Sequence, residues 1–592
     1  MKDHVQNRIL EATGASRIVK TDRIQALWNN YGVLSRVHLD GSASPSVILK
    51  HIQIPNRSTH PRGFGGAVSR QRKIKSYEVE THWYLHQNKE IPEGSPTPRC
   101  IDAFDSGDEL FILLEDLSNR GFTQDKHSAT WTEMTRCLSW LAHFHGHFLQ
   151  ASADGLWPCG TYWHLDTRPE ELDEIIGTRL HTFAGLLDAR LSHCAFQTIV
   201  HGDAKLANFL FTEDSTSVAA VDFQYVGRGC GMKDVAYFVG SCLYDEQCQS
   251  QEAAILDFYF SELKQALAGT EVDFSKLEAE WRSLYPVAWA DFQRFMMGWS
   301  PGHRKLHGYS RQMTDTAILT ITEDLLDAAI SAGSAAAQYI KANRFRHVAV
   351  ASKGMASEAS DMVTEIDIRA QEIVLDGLEP TFSRYGLGLL AEEGEQDTSR
   401  LNSHAFWTID PLDGTQYFIE GKTGFATSIA LVSQAGDSIL SVAVDPVTET
   451  VYHAVKDGGF FINGQRHAVK SMPETPAQLT WFADRSLPKH PDYAHYQTQF
   501  DLHFIGGAVT NILQVIQTPR SCYFKLPKKT LGGCAIWDIA AVSLMLQECG
   551  GTAEFFDGSR LNLNREESIY FNDVGLMLIS PDLTVKDILE RI

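Results

Sequence analysis

The sequence predicts an α+β protein of two domains, and three observations lead to that prediction. Its 592 residues exceed what one hydrophobic core usually holds, so two to four domains are expected. Each half carries its own acidic motif after a strand-like segment, at His201–Asn208 and at Asp410–Thr415. No linker rich in proline, glycine or serine separates the halves, which indicates that the domains are fixed rather than loosely tethered.

The composition is that of an ordinary globular protein, with 43% hydrophobic and 21% charged residues. The formal net charge of −22 argues against a nucleic-acid partner, because such proteins neutralise phosphates with clustered lysine and arginine. A small phosphorylated substrate remains compatible, since it needs only a local basic site.

The ten cysteines are scattered without a CxxC pair, which predicts reduced thiols in a cytoplasmic protein. The N-terminus has no apolar segment, and no stretch approaches the ~18 apolar residues that a membrane span requires. We therefore expect a soluble, cytoplasmic protein without a membrane partner.

A lysine lies at the end of a strand-like segment near the N-terminus. Lys50 ends the apolar run Val47–Lys50 in the third of three predicted strands, and a helix-like stretch, Ser76–Gln87, follows with Glu80 in it. In kinases a strand lysine holds ATP phosphates and pairs with a helix glutamate. Glu78 is the rival partner, and a lysine that is only solvated is the simpler alternative. The predicted strands are Arg23–Trp28, Val33–Leu39 and Ser46–Ile52.

Two further segments belong to this region. Arg57–Arg72 is rich in glycine, arginine and serine and is predicted to be a loop. Leu110–Leu117 is predicted to be an edge strand that leads into a hinge. At such a hinge, Glu115 and Leu117 would bind the adenine of ATP through the backbone.

The strongest motif of the first half is Val200–Phe211, followed by a strand that ends in Asp222. Phosphoryl transfer to an alcohol needs a base near the hydroxyl, two metal ligands and a cation near the γ-phosphate. In this pattern Asp203 fits the base, Lys205 the cation, and Asn208 and Asp222 the ligands of two Mg²⁺ ions. A polar loop between core strands is the alternative.

Residues 20–310 resemble the aminoglycoside phosphotransferase and choline kinase superfamily, closest to its ecdysteroid-kinase-like branch. The resemblance implies a bilobal protein-kinase-like fold, ATP, Mg²⁺ and a small-molecule hydroxyl acceptor. Asp-Phe-Gln stands at residues 222–224, where protein kinases have Asp-Phe-Gly, so a protein substrate is not expected. The matching segments are Leu27-Trp28 with Tyr31-Gly32, Leu113–Leu117, Leu141–His145, His201–Asn208, Asp222–Gln224 and Asp234–Phe238.

Aromatic residues recur at helical spacing between Trp281 and Tyr309. Such a stripe is usually part of a core. The functional alternative is an acceptor pocket for an apolar or cationic substrate, because aromatic faces attract quaternary ammonium groups. Both interpretations remain open from the sequence.

The domain boundary is predicted near residue 316. Thr320–Glu323 resembles a capping box that begins an amphipathic helix, Leu325–Ile340. We therefore expect a kinase-like domain at 1–316, with lobes at about 1–117 and 118–316, and a second domain at 317–592.

The acidic motif of the second half combines metal ligands with an anion seat. Phe406–Ile409 reads as a strand, and Asp410 and Asp413 follow it across a turn set by Pro411 and Gly414. Hard divalent ions prefer such oxygen clusters, and the Leu412 carbonyl lies between the two acids. Gly414 and Thr415 open a predicted helix whose N–H groups suit a phosphate oxygen. Metal ligands beside a phosphate-binding helix N-terminus are typical of a metal-dependent phosphatase.

Residues 320–592 resemble the inositol monophosphatase superfamily, which includes 3′(2′),5′-bisphosphate nucleotidases. The resemblance implies a layered αβαβα sandwich and two or three Mg²⁺ ions, with dimers common among its members, so a homodimer stays open. The motifs, in family order, are Lys353 before Asp361–Asp367, Leu390–Glu393, Asp410–Thr415, Trp537–Ala541 and Glu548–Gly551.

The resemblance also implies roles for individual residues. Glu392 and Thr415 would orient a water that the metals activate, and Thr364 would assist. The amides of Gly414 and Thr415 would seat the phosphate. The implied metal ligands are Glu392, Asp410, the Leu412 carbonyl, Asp413 and Asp538, and the implied leaving-group loop contains Gly506, Gly507 and Ala508.

One segment departs from the simple inositol phosphatases, which place an acidic residue shortly before the Trp-Asp motif. Here that region carries Lys525, Lys528 and Lys529 instead. Three lysines near an active site favour a bisphosphorylated or nucleotide-like substrate, while a solvated basic loop is the equal alternative.

Together these patterns predict a bifunctional enzyme, in which an ATP-dependent small-molecule kinase is fused to a Mg²⁺-dependent phosphomonoesterase at two steps of one pathway. The expected partners are a small-molecule alcohol and a phosphomonoester. The alternative is that only one half is catalytic and the other is a ligand-sensing regulatory module.

Overall fold

The computed structural model describes all residues except 29–30, 54–66, 107–108, 346–349, 353–361, 395–396, 468–477, 530–531 and 572. The chain divides into two compact units, Met1–Ile318 and Leu319–Ile592. The division falls inside a helix, Gly308–Asn343. Among the described residues, no helix combines the length and the apolar character needed to cross a bilayer.

The first unit begins with a five-stranded antiparallel sheet. Apolar side chains alternate along its strands, so one face packs on Val5 and Ile9 of the first helix. Lys50 lies on the central strand of this sheet. In spatial order the strands are Arg17–Ala26, Gly32–Asp40, Ser46–Gln53, Glu109–Glu115 and Cys100–Asp105.

The remainder of the first unit is mainly helical, with two small sheets at its centre. One small sheet joins Phe122–Gln124, Phe209–Thr212 and Val218–Ala220, and the other pairs Thr198–Val200 with Gly227–Gly229. The helices of the unit are Asp3–Thr13, Ala67–Leu85, Trp131–His147, Pro169–Asp173, Arg179–Ser192, Met232–Cys242, Asp245–Ala266, Phe274–Trp299 and the start of Gly308–Asn343.

The second unit is layered around two sheets. In spatial order the seven-stranded sheet contains Gly388–Ala391, Ala405–Asp413, Ala426–Ser433, Ser438–Asp445, Thr450–Val455, Gly459–Ile462 and Gln465–Arg466. The five-stranded sheet contains Phe500–His503, Leu479–Phe482, Ser521–Lys525, Leu576–Ile579 and Thr552–Phe555. Val350–Ser352 pairs separately with Met362–Thr364.

Helices cover these sheets and form the core of the second unit. Ala508–Gln517 and Ile536–Glu548 contribute apolar side chains to one large cluster with both sheets. Gly333 of the long helix lies against Val442 and Val444 of the seven-stranded sheet. The other helices are Glu365–Tyr385, Thr415–Ile419, Tyr493–Gln499 and Val585–Leu589.

Three predictions of local structure are wrong. Leu110–Leu117 is not an edge strand, because the strand Glu109–Glu115 pairs with Ser46–Gln53 on one side and with Cys100–Asp105 on the other. No helix begins at Thr320, because Gly308–Asn343 runs through that position without a break. The helix predicted at Ser76–Gln87 begins earlier in the structure. It starts at Ala67, inside the segment predicted to be a loop. Lys353 and Asp361 lie outside the described residues, as does most of the predicted loop 57–72.

Candidate functional sites

The lysine of the central strand forms a buried ion pair. Lys50 Nζ lies 2.7 Å from both carboxylate oxygens of Glu80 and 3.2 Å from Asp222 Oδ1. Glu78, the rival partner, is exposed. Burial alone would lower the pKa of Lys50, but the charges of Glu80 and Asp222 outweigh it and raise the pKa.

Asp222 sits in an unusual backbone conformation, with φ of 72°. Gln224 Nε2 donates to Asp222 Oδ1 at 2.6 Å, while its Oε1 accepts from Lys73. Gln224, which stands where protein kinases have glycine, therefore holds the Asp222 carboxylate in position. Although burial acts in the opposite direction, Lys50 and Lys205 keep the pKa of Asp222 low.

Asp203, the predicted base, has one carboxylate oxygen that accepts hydrogen bonds and one that accepts none from the described residues. Asp203 Oδ2 accepts from Lys205 Nζ at 2.7 Å and from Asn208 Nδ2 at 3.1 Å. Asp203 Oδ1 is buried and has no hydrogen-bond partner among the described residues. Such a group is costly to leave unsatisfied, so this oxygen marks a binding position for a donor.

Asp234 holds in place the loop that carries Asp203. Its carboxylate accepts from the His201 amide at 2.6 Å, from the Gly202 amide at 3.0 Å and contacts His145 Nε2 at 3.1 Å. Gly202 has φ of 80°, and a Cβ atom there would lie 2.0 Å from the Tyr225 carbonyl oxygen. Asp234 and His145 lie in segments that resemble the kinase superfamily, but the resemblance implied no role for either residue.

Both predicted sites of the first unit open into one cavity of about 960 Å³. Lys50, Glu80, Asp203, Lys205, Asn208 and Asp222 line it, together with Glu115 and Leu117 of the predicted hinge. Asp116, between those two, is buried and receives hydrogen bonds from Arg36 and Ser46. The structure therefore brings all the predicted first-unit residues to one cavity.

The aromatic stripe divides between core and cavity. Trp281, Tyr285 and Trp289 are fully buried, whereas Phe295 and Trp299 line the cavity. The first part of the stripe is therefore part of the core, as one interpretation predicted. The end of the stripe lines the cavity, as the acceptor-pocket interpretation predicted.

Cations already occupy the aromatic faces at that end of the cavity. The Arg168 guanidinium lies 5.0 Å from the Phe295 ring centre, and Lys305 Nζ lies 4.3 Å from the Tyr237 ring centre. Arg168 also pairs with buried Glu171 at 3.1 Å. Burial lowers the pKa of Lys305 to about 8, although the Asp203 charge acts to raise it. No sequence motif pointed to Lys305, because it lies far along the chain from Asp203.

Three carboxylates converge in the second unit, two of them buried and the third, that of Asp538, half-buried. One oxygen each of Asp410, Asp413 and Asp538 lies within 4.8 Å of the others. The backbone amides of Leu412, Val509 and Ala535 each donate to one of them, at 3.0, 2.8 and 2.7 Å. Burial raises the pKa of all three, and the charge of Glu392 adds to the effect at each, so that the pKa of Asp538 is about 6.

A hydroxyl–carboxylate chain lies beside this cluster. Thr415 Oγ1 lies 3.0 Å from Asp367 Oδ1 and 3.1 Å from the Leu412 carbonyl oxygen. Asp367 Oδ2 accepts from the Thr364 amide and hydroxyl, at 2.9 and 2.5 Å. Burial raises the pKa of Asp367, and the charge of Glu392 adds to the effect. The sequence predicted Thr364 and Thr415 as site residues but gave Asp367, which joins them, no role.

The predicted substrate loop lies against Asp413. The Ala508 amide donates to Asp413 Oδ1 at 3.1 Å, and a Cβ atom at Gly507 would lie 2.4 Å from Asp413 Oδ2. Gly414 has φ of 85° and begins a helix of only five residues. Gly506 packs against the Gly424 carbonyl beside this helix.

The three predicted substrate lysines differ in surroundings. Lys525 Nζ pairs with Asp484 and donates to the Gly533 carbonyl at 3.1 Å. Lys528 and Lys529 are exposed. Asp484 therefore balances the charge of Lys525, which the lysine count alone did not predict.

The carboxylate cluster fits divalent cations. Among the described residues, no lysine or arginine forms an ion pair with Asp410, Asp413 or Asp538. Three clustered acids that lack an ion-pair partner and have raised pKa values are costly unless a cation or protons neutralise them. Their oxygen donors are those that Mg²⁺ prefers.

The family comparisons divide between the two halves of the chain. Residues 322–580 match the model of the inositol monophosphatase family, and residues 164–271 match that of the ecdysteroid kinase-like family.

Individual relatives match the phosphatase-like family. Inositol-1-monophosphatase of Rhizobium meliloti is 28% identical over 250 residues, which cover 42% of this chain and 88% of that protein. Nus factor SuhB of Pseudomonas aeruginosa is 29% identical over 213 residues, or 34% of this chain and 75% of the relative. A solved IMPase of Thermotoga maritima is 25% identical, covers 45% of this chain and 97% of its own, and has a TM-score of 0.38.

Both predicted resemblances are confirmed: residues 322–580 are similar to the inositol monophosphatase family, and residues 164–271 are similar to the ecdysteroid kinase-like family.

Proposed function

We propose that this chain is a bifunctional enzyme. Residues 1–316 would form a bilobal, kinase-like domain that transfers phosphate from ATP to a small-molecule hydroxyl. Residues 317–592 would form an inositol-monophosphatase-like sandwich that hydrolyses a phosphomonoester with Mg²⁺. The observation that carries the hydrolase is the cluster of Asp410, Asp413 and Asp538, which has no ion-pair partner among the described residues and lies within the region similar to phosphatases.

The unsatisfied oxygen of Asp203 supports the transferase. Asp203 Oδ1 accepts no hydrogen bond from a described residue, so an acceptor hydroxyl at that position would donate to it and pass it the proton. Lys205 and Asn208 hold the other oxygen and fix the carboxylate. Lys50 and Lys205 would bind ATP phosphates, and Asn208 and Asp222 would hold Mg²⁺, which neutralises charge on the transferred group.

Thr415 and Asp367 would position water in the hydrolase. The hydroxyl of Thr415 has one proton, directed to Asp367 or to the Leu412 carbonyl. Its lone pairs can therefore accept a hydrogen bond from a water beside the carboxylates. Glu392, Asp410, the Leu412 carbonyl, Asp413 and Asp538 would hold Mg²⁺, which supplies Lewis-acid chemistry at the phosphate.

The cavity favours an acceptor that carries a negative group beside a ring or apolar part. Arg168 and Lys305 already occupy aromatic faces that a quaternary ammonium would need. Lys305 forms no ion pair with a described carboxylate, so an anion can bind it without displacing a partner. A cationic acceptor, one of the alternatives from the sequence, is therefore disfavoured.

The two activities would waste ATP if they acted on one unmodified metabolite. Either the phosphate is a temporary handle, removed after another enzyme has modified the intermediate, or the halves act on different compounds of one pathway. Offering the kinase product to the hydrolase separates these arrangements. Rapid phosphate release from the unmodified product would eliminate the first.

Paired variants test the proposal as a whole. The full chain is incubated with Mg²⁺ and a panel of inositol phosphates, sugar phosphates and bisphosphate nucleotides, and phosphate release is measured. A second incubation, with ATP and a metabolite extract, is followed by ³¹P NMR. Asp410→Asn should abolish only phosphate release, and Asp203→Asn only the ATP-dependent product. If Asp203→Asn leaves every ATP-dependent activity intact, a ligand-sensing first half becomes the better description.

A further inference from the structure

A thiol, an imidazole and a carboxylate meet in the first unit, at residues to which the proposed chemistry gives no role. One ligand atom each of Cys159, His164 and Asp188 lies within 4.8 Å of the others. His164 Nδ1 lies 3.1 Å from Asp188 Oδ1, which orients the ring. Lys233 Nζ lies 3.5 Å from Cys159 Sγ and is itself almost fully buried.

Two cationic groups therefore face one thiol. Nearby lysine and protonated histidine stabilise a thiolate, which is the nucleophilic form of cysteine. Burial acts to raise the pKa of Cys159, but Lys233 and His164 outweigh it and lower the pKa. Burial raises the pKa of eight other cysteines, Cys100 and Cys242 included.

The same arrangement disfavours a metal site. A divalent cation bound by Cys159 and His164 would lie next to the Lys233 ammonium, and Asp188 already serves as the partner of His164. Zinc normally has at least three protein ligands at about 2.0–2.3 Å. The fixed Lys233 ammonium would repel an ion bound to Cys159. The cluster is thus better suited to a thiolate than to an ion.

Cys159 begins a segment that contacts both catalytic loops. The Gly160 amide donates to the Arg228 carbonyl at 2.7 Å, and the Thr161 amide donates to the Tyr225 carbonyl at 3.2 Å. The Tyr162 amide donates to the Gly202 carbonyl at 3.2 Å, directly before Asp203. The segment has little room to move, because a Cβ atom at Gly160 would lie 2.5 Å from the Val200 side chain.

We propose that Cys159 is a peroxide-reactive thiolate, and that its oxidation displaces the Cys159–Tyr162 segment from the catalytic loop. The thiolate sulfur attacks one peroxide oxygen, so an S–O bond forms as the O–O bond breaks. The sulfur loses two electrons to the peroxide, and the departing hydroxide takes a proton to become water. The product is a sulfenic acid. Its added oxygen needs space between Lys233 and His164, where the segment is tightly packed.

Alkylation of the full chain tests the first part without any substrate. Limiting iodoacetamide is applied between pH 5.5 and 8.5, and each cysteine is quantified by peptide mass spectrometry. Cys100 and Cys242 are internal controls, because they are partly exposed, as Cys159 is. At pH 7 we expect Cys159 to react at least tenfold faster than either. The charged groups around the thiol are His164, Asp166, Asp188, Lys233, Asp291 and Arg294.

Variants assign the reactivity to the cluster. Lys233→Met and His164→Gln should each slow the labelling of Cys159 at least threefold, with Cys100 and Cys242 unchanged. If a variant labels faster at all its cysteines, that variant is unfolded. The comparison of Cys159 with Cys100 and Cys242 in the wild type then tests the proposal by itself. Equal rates for Cys159 and Cys100 in the wild type would overturn the proposal. Stoichiometric zinc that is lost in Cys159→Ser would overturn it as well.

Peroxide treatment tests the second part. After hydrogen peroxide, dimedone should trap a sulfenic acid on Cys159 before it labels Cys100. Amide hydrogen exchange of the peptide that contains Thr161 and Tyr162 should then increase in the wild type and stay unchanged in Cys159→Ser. Unchanged exchange in a protein that carries the adduct would show that oxidation leaves the segment in place.

Discussion

The Thr415 hydroxyl lies 3.0 Å from the Asp367 carboxylate, although 48 residues separate the two along the chain. Asp367 also accepts the amide and hydroxyl of Thr364, so one acid links both threonines beside the Asp410 cluster. Its pKa is raised, chiefly by burial, which makes it a better proton acceptor near neutral pH. This relationship makes Asp367 the first residue to test in the hydrolase.

Asp367→Asn should lower kcat for phosphomonoester hydrolysis by about 10²-fold or more, since general-base groups contribute ~10²–10⁴. The amide keeps the shape of the side chain and can still accept from Thr364. Glu372→Gln, on the exposed face of the same helix, is the matched control and should leave kcat unchanged. The proposed role fails if Asp367→Asn hydrolyses as fast as the control.

Asp203→Asn should reduce formation of the ATP-dependent product by about 10²–10⁴-fold. The asparagine oxygen still accepts from Lys205 and Asn208, so the loop should keep its structure. The product is quantified by ³¹P NMR, with phosphate release as the internal control of the other unit. Asp214→Asn, in an exposed turn, should retain both activities. A large loss in Asp214→Asn would mean that the effect is not specific to Asp203.

Asp234→Asn should weaken both the stability and the transferase. Asparagine has only one side-chain oxygen, so its NH₂ group would face one of the two amides, that of His201 or that of Gly202. That amide loses its acceptor, and a buried unsatisfied group costs about 1–3 kcal/mol. We expect a lower free energy of unfolding for the first unit, measured by hydrogen exchange of 198–203, and a lower kcat with little change in the KM for ATP. A variant with normal exchange and normal kcat would show that Asp234 does not position the loop.

Removal of divalent metal should destabilise the second unit. A ligand that binds only the folded state stabilises it by RT ln(1 + [L]/Kd), about 2.7 kcal/mol at 100 times Kd. Adding Mg²⁺ after chelation should therefore slow hydrogen exchange in Ala508–Gln517 and Ile536–Glu548. Asp538→Asn should reduce that gain and should raise the stability of the metal-free protein at pH 7.5, because it removes a like charge. Equal Mg²⁺ effects in both proteins would exclude Asp538 as a ligand.

The sequence predicted residues that lie within short motifs better than residues that support them from a distance. Lys50, Asp203, Asp222 and Asp410 each belong to a strand-and-loop motif whose residue types reflect the chemistry. Asp234 contacts a loop 33 residues earlier in the chain, and such a contact depends on helix packing that no local pattern encodes.

The wrong helix start has a similar origin. Thr320–Glu323 has the residue types of a capping box, but the flanking positions are also helix-compatible, and Ile318, Ile321 and Leu325 are buried. Packing of that apolar face continues the helix from Gly308, and tertiary burial outweighs the local capping preference.

The charge of Lys305 should make acceptor binding depend on pH. Burial lowers its pKa to about 8, so the ammonium loses its proton as pH rises through 8 and an anionic ligand loses its counter-charge. The probes are 4-(hydroxymethyl)benzoate and its neutral amide, an otherwise matched pair of aromatic alcohols, with binding measured by NMR in the presence of ADP and Mg²⁺. The benzoate should bind more tightly than the amide at pH 7 and weaken up to tenfold between pH 7.5 and 9. Lys305→Arg should remove that pH dependence, because the guanidinium stays charged, and Lys305→Met should bind both probes equally. A benzoate affinity that is constant with pH in the wild type, or equal for both probes at pH 7, would contradict an anionic acceptor.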